Sequence, residues 1–307
     1  MALIKHGNQY HEYKDIKDTF LDCYKPKSKS ASLTVFETTE EEVRKFINYF
    51  IENGIKNESL RDKLYQNFND GNFILDTKPG GENSHLFNMI ENELVVETYK
   101  RAKLGNKLPS GKYVSDIKTI RGIIHELAHS TSQKFDETYL NSSDAKQKIA
   151  NNSLEKDSSI GEIESKFIEK VFNDFILNNA DKIEESGCSL SGIQDLKEEI
   201  RDLDNYDVCD FLERLTHGMH KDNIDYKNSI DHRYIVGTII SNLMFEDYKN
   251  NPKEILEQFN KYLENQCSMD IDEASSFLMR GKCHNYGQAI NQYKQILQIN
   301  NNHNQSL

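Results

Sequence analysis

The sequence predicts a mainly α protein, and three observations carry that prediction. The 307 residues contain only 4 Pro and 15 Gly, so few positions force a turn, and Trp is absent. Lys, Glu, Asp, Asn, Leu and Ile dominate a chain that is 29% charged and 36% hydrophobic, a balance that suits amphipathic helices better than a sandwich or barrel. Apolar residues recur at helical spacing along most of its length, with at most a short N-terminal β element.

Residues 1–30 are polar and irregular, and the run from Lys25 to Ser32 reads as a basic loop. Ser32 to Phe36 suggests a short strand. Thr38 and Thr39 followed by Glu40, Glu41 and Glu42 mark a helix start, a hydroxyl cap with acids in the first turn. Val43, Phe46, Ile47, Phe50 and Ile51 then form one apolar face. A second helix is expected from Glu58 to Phe68 and a short strand at Phe73 to Leu75. Lys78-Pro79-Gly80-Gly81 is the clearest break; no Gly-Lys-Ser/Thr follows, so it reads as a surface turn and not as a phosphate-binding loop. Leu86 to Leu104 reads as one helix, with a strand over Glu93 to Tyr99 as the competing reading. Leu108 to Lys112 is a loop, and a helix from about Val114 to Phe135 follows.

That helix carries His125-Glu126-Leu127-Ala128-His129, a His-Glu-x-x-His motif. Residues four apart share one side of a helix, so both imidazoles can address one point, and neutral imidazoles are good Zn²⁺ ligands. Glu126 then stands beside the metal, where a carboxylate can take a proton from a bound water. Ile123, Ile124, Leu127 and Ala128 suit a dry interior, where electrostatic effects are stronger than in water. The motif therefore predicts a site for one Zn²⁺ per chain and hydrolytic chemistry. On this reading residues 1–110 form an N-terminal helical region and 111–307 the zinc-binding catalytic region, one compact unit with a cleft between.

Residues 136–158 are polar and read as an excursion, a candidate lid. Ser158 and Ser159 are expected to cap a helix running to about Asn178, apolar over a broad arc that includes Ile163, Phe167, Val171 and Phe172. Catalytic zinc takes three protein ligands and keeps one position open. Candidates for the third are Glu155, Asp157, Glu162, Glu164 and Glu169; helix phase and burial favour Glu162, align Glu169 with it, and point Glu164 elsewhere. A third histidine ligand is disfavoured, because Phe135 and Ser132 hold the positions that a His-Glu-x-x-His-x-x-Gly-x-x-His motif requires. The remainder reads as helices at about 189–203, 207–219, 231–249, 252–265, 270–280 and 285–298.

The stretch Gly161 to Glu169 resembles the second motif of the thimet oligopeptidase and oligopeptidase F superfamily, in which a Glu ligand is followed by x-Pro-Ser-Gln and by a further Glu. Glu162, Ser165 and Glu169 match, whereas Glu164 stands for Pro and Lys166 for Gln. Tyr234-Ile235-Val236-Gly237 resembles the superfamily's Tyr-Ala-x-Gly helix, which packs behind the metal. The resemblance covers roughly residues 115–265 and rests on three short motifs. It implies a helical, zincin-like metalloprotease fold of the gluzincin type, a substrate cleft, and a peptidase with His125, His129 and Glu162 as ligands. The interval from His129 to Glu162 is longer than usual for that superfamily and the chain is far shorter, which fits an insertion at 136–158 and a more open cleft.

Such hydrolysis needs a donor for the oxyanion besides the metal. His220, Tyr226, His232 and Tyr234 are the candidates, with Tyr226 and His232 preferred; Glu169 is the candidate to hold a ligand imidazole from behind. The expected partner is a peptide or protein substrate. A net charge of −12 argues against nucleic acid or an anionic membrane. No apolar run approaches a membrane span, the N-terminus lacks a signal-peptide pattern, and the five scattered Cys suit a reducing compartment, so a cytoplasmic location is expected; a protein exported by a dedicated machine would read the same. Two other readings are an effector or toxin protease that cuts one host protein, and a non-catalytic helical binding protein with a structural or vestigial zinc site. The intact Glu126 speaks against the last, since a structural site has no need of that acid.

Overall fold

The computed structural model describes residues 13–19, 33–69, 73–76, 84–90, 93–131, 158–190, 230–266 and 269–304, with scattered helical positions between 196 and 213. The protein is mainly α, and among the described residues all strands lie between Phe36 and Ser115. After a helical segment at 13–19, strand β1 (Phe36–Thr38) leads into helices α1 (Glu40–Gly54) and α2 (Glu58–Asn69). Thr39 caps α1 as the sequence predicts. Its hydroxyl accepts from the Glu42 amide at 3.2 Å, and the Glu42 carboxylate accepts from the Thr39 amide at 2.8 Å.

Strands β2 (Phe73–Asp76), β3 (Ser84–Ile90) and β4 (Glu93–Lys103) form a sheet in the order β2-β4-β3. β2 runs parallel to β4, with Phe73 opposite Lys100; β3 runs antiparallel, with Ser84 opposite Tyr99 and Ile90 opposite Glu93. This corrects the helix read over Leu86 to Leu104 and bears out the competing strand over Glu93 to Tyr99. Its apolar positions fit either period, and the β-branched and aromatic residues Val95, Val96, Thr98 and Tyr99 favour an extended chain once a partner strand is present. Strands β5 (Asn106–Lys107) and β6 (Tyr113–Ser115) complete a second small sheet, in which β6 pairs with both β1 and β5.

Helix α3 (Ile117–Thr131) carries the His-Glu-x-x-His motif. It begins three residues later than expected, because Val114 and Ser115 are committed to β6 and Asp116 closes the turn: its carboxylate accepts from the Thr119 amide at 2.7 Å. A 3₁₀ turn (Ser158–Ile160) precedes α4 (Ile163–Glu185), so the serines expected to cap this helix lie in that turn and α4 starts later. Helices α5 (Ile230–Tyr248), α6 (Pro252–Asn265), α7 (Ile271–Leu278) and α8 (Tyr286–Asn304) follow. Most of the helices read at 189–203 and 207–219 lie outside the described residues, as does the candidate lid up to 157. No helix among the described residues is long and apolar enough to cross a membrane.

The core is built around α4. α3 and α5 both pack on it, α1 packs on its middle, and α3 is also covered by α2 and β4. Phe172 of α4 is fully buried and meets the rings of Phe46 and Phe50 edge-on, at centroid distances of 5.9 and 5.0 Å. One turn earlier on the same helix, Phe167 packs on Phe259 of α6 at 4.8 Å. The motif helix is thus clamped between apolar layers, and its position is set by packing. Replacing Phe172 with Ala removes the ring that joins α1 to α4 and is expected to cost about 3–5 kcal/mol. Urea unfolding of the variant against the native chain measures this; a loss below about 1 kcal/mol would show that α4 is not anchored there.

Candidate metal centre

Three donor atoms converge where α3 meets the start of α4. His125 Nε2 lies 3.1 Å from His129 Nε2, and Glu162 Oε2 lies 3.2 Å from the first and 3.3 Å from the second. Among the described residues this is the group of His, Cys, Asp and Glu side chains able to hold a metal ion. The triangle tests the fit. Donors about 2.0–2.1 Å from a tetrahedral zinc stand about 3.3–3.4 Å from one another, so these three sides match a tetrahedral face to within a few tenths of an ångström. Two imidazole nitrogens and a carboxylate oxygen are also a donor set that zinc accepts.

Local structure explains the convergence. Arg121, His125 and His129 follow one another at four-residue spacing and make one stripe of α3. Glu162 stands at the N-cap of α4 with φ −110° and ψ 4°, outside the helical phase, and so reaches across to α3. Ser165 fixes it: its hydroxyl donates to Glu162 Oε2 at 2.9 Å. Gly237 of α5 passes directly behind. A Cβ at this position would stand 2.5 Å from the Glu162 carbonyl oxygen and 3.0 Å from its Cβ, so only glycine allows the helix to approach so closely.

The far nitrogens of both imidazoles are held too. His125 Nδ1–H donates to Glu169 at 2.6 Å, and His129 Nδ1–H donates to Glu164 at 3.3 Å. As α3 advances from 125 to 129 its partners step back from 169 to 164, so the two helices run antiparallel at this crossing. Glu169 behaves as the sequence reading expects. Glu164 does not: expected to point elsewhere, it is fully buried against His129. The expectation assumed one helix from residue 158, whereas the helix proper begins at Ile163, which changes the direction of Glu162 relative to Glu164.

Two buried cations, which the sequence reading did not place at the site, complete the arrangement. Lys166 donates to both oxygens of Glu169 at 3.1 Å, and Arg121 Nε lies 3.5 Å from Glu169 Oε2. Arg121 carried a signal, since it stands one turn before His125 on the same side of the helix. Burial opposes ionisation of Glu169, but Lys166, Arg121 and His125 outweigh it and hold the carboxyl far below its ordinary range. Burial likewise opposes a charge on Glu162, and the two imidazoles outweigh it, so this carboxyl too is held well below its ordinary range. Burial disfavours the imidazolium of His129, yet Glu162 and Glu164 lift it to about 10, and Glu162 and Glu169 raise His125 against the same opposition. Three buried carboxylates, Glu162, Glu164 and Glu169, share this crossing with two fixed cations, Lys166 and Arg121. The excess of negative charge is what a bound cation, or a proton shared with the imidazoles, would balance.

Of the expected oxyanion donors, His220 and Tyr226 lie outside the described residues. His232 is buried in a different setting, its Nε2 3.3 Å from the hydroxyl of Tyr13, which in turn donates to Tyr286 at 3.1 Å. Two positions on, Tyr234 stacks on His125, with centroids 5.9 Å apart and planes inclined by 23°, and Lys166 lies 5.2 Å from the centre of its ring. Residues two apart on a helix face nearly opposite ways, so Tyr234, and not His232, lies beside the candidate ligands. Neither a protein-family model nor a curated protein nor a solved structure matches the chain.

Gly237→Ala is expected to displace Glu162 while leaving α5 helical. Zinc affinity, read by competition with a chelator, should fall about tenfold or more with the circular dichroism spectrum unchanged. Undiminished affinity would show that Glu162 does not depend on this close approach.

Proposed function

We propose that the chain is a zinc-dependent peptidase that hydrolyses peptide bonds in peptides or in a protein substrate. The observation that carries the reading is the triangle of His125 Nε2, His129 Nε2 and Glu162 Oε2, with sides of 3.1–3.3 Å, set beside Glu126. Structural zinc sites take four protein ligands, whereas among the described residues three converge, which supports a site with a position left for water or substrate.

His125, His129 and Glu162 would hold the zinc, which would supply Lewis acidity and lower the pKa of a bound water toward neutral pH. Glu126, next to His125 in the chain and half-buried, accepts the proton from the attacking water and returns it to the leaving amine. Ser165 keeps the Glu162 carboxylate aimed at the imidazoles, and Glu169 keeps His125 Nδ1 protonated so that its Nε2 lone pair is available. Tyr234, against His125, is the described candidate to donate to the developing oxyanion. Tyr226 is a candidate from the sequence alone.

The test compares native chain and Glu126→Gln for zinc content and for cleavage of a mixed peptide pool. Both are expected to hold one zinc, and the variant should lose about a hundredfold to ten-thousandfold in kcat/KM. A native chain that takes up no zinc, or a Glu126→Gln variant that cleaves at the native rate, overturns the reading.

A further inference from the structure

Each ligand imidazole has its own buried carboxylate behind it, and both carboxylates come from the helix whose N-cap supplies the third ligand. Glu169 serves His125. We infer that Glu164 is the positioning residue of His129, holding its ring and its Nδ1 proton so that Nε2 faces the metal; this rests on the zinc reading above.

The argument is one of proton placement. An imidazole can offer Nε2 to a metal only when the proton sits on Nδ1, and in an interior that proton requires an acceptor. Glu164 Oε1, 3.3 Å from His129 Nδ1, provides it. The ring also has a demanding orientation to keep. It stands edge-on to His125, at a centroid distance of 4.7 Å and an interplanar angle of 83°, the arrangement that lets both Nε2 atoms meet Glu162. A carboxylate with no solvent exposure is costly to bury and is retained only where something needs it. Its place in the first turn of α4 lowers that cost, because the amide end of a helix favours negative charge. The two arms are also unlike. Lys166 and Arg121 draw on Glu169, so the acceptor behind His125 is partly neutralised by cations of its own.

Zinc affinity of the full chain, measured by competition with a chromophoric chelator, tests the inference in native protein, Glu164→Ala and Glu164→Gln. The alanine variant should bind about 10–100-fold more weakly. The glutamine variant keeps an oxygen that can accept from Nδ1 but not the charge, so it should recover part of that loss. Glutamine is isosteric and carries the test if the alanine variant does not fold. The d–d absorption of the cobalt-loaded chain should shift in Glu164→Ala, which a merely structural role would not cause. If folded variants bind zinc within about twofold of the native chain with the cobalt spectrum unchanged, the inference is wrong while the peptidase reading stands. If native protein binds zinc and Glu126→Gln cleaves at the native rate, the peptidase reading fails and the role of Glu164 is still decided by affinity. A native chain that binds no zinc removes both.

Discussion

The antiparallel crossing of α3 and α4 is the constraint on which the rest of the arrangement depends. One stripe, Arg121, His125 and His129, lies against another, Glu162, Glu164, Lys166 and Glu169. Neither could be buried alone, since an isolated ion in a protein interior is penalised by several kcal/mol. Together they satisfy one another: Glu169 receives an imidazole, an ammonium and a guanidinium, and His129 lies between two carboxylates. Such a network is weak evidence of stability, because apolar residues of like volume would often serve the fold as well. A buried charged network of this kind marks the crossing as a candidate functional site.

The surroundings hold that crossing in register. The apolar residues of α3 alternate with the ligand stripe, and Ile120, Ile123, Ile124 and Leu127 are all buried, so the helix cannot rotate without exposing them or withdrawing the histidines. On the other flank, α4 is anchored by Phe172 against α1 and by Phe167 against α6. α5 closes the back, with Gly237 against the Glu162 backbone and Tyr234 against the His125 ring. A candidate ligand set such as this needs placement to within fractions of an ångström, and here that placement comes from packed helices and not from loops.

Much of this was legible in the sequence because it lies in side-chain periodicity. His125 and His129 follow from a four-residue spacing, Glu162 and Glu169 from their seven-residue spacing on an apolar helix, and the α1 cap from Thr39 and Glu42. What was hidden lay where periodicity fails. Glu164 was misdirected because the chain enters α4 through a 3₁₀ turn, so phase counted from Ser158 does not apply. The β3–β4 hairpin was only half legible, its second strand read as the alternative over Glu93 to Tyr99, because its partner strands, not its own spacing, decide between helix and sheet. His232 was drawn to the site by its residue type, yet Tyr13, more than two hundred residues earlier in the chain, fixes its setting, and no local pattern reports that.

Glu164 and Lys166 enter the crossing as a complementary pair. Glu164 occupies the first turn of α4, where the helix N-terminus favours negative charge, and places an acceptor behind His129. Lys166 brings a positive charge to Glu169 and to the face of Tyr234. Each helps to balance the other: a further buried carboxylate makes the crossing more negative, and a buried ammonium offsets it. Each histidine thereby has its own anionic partner while the pair adds no net charge to the crossing.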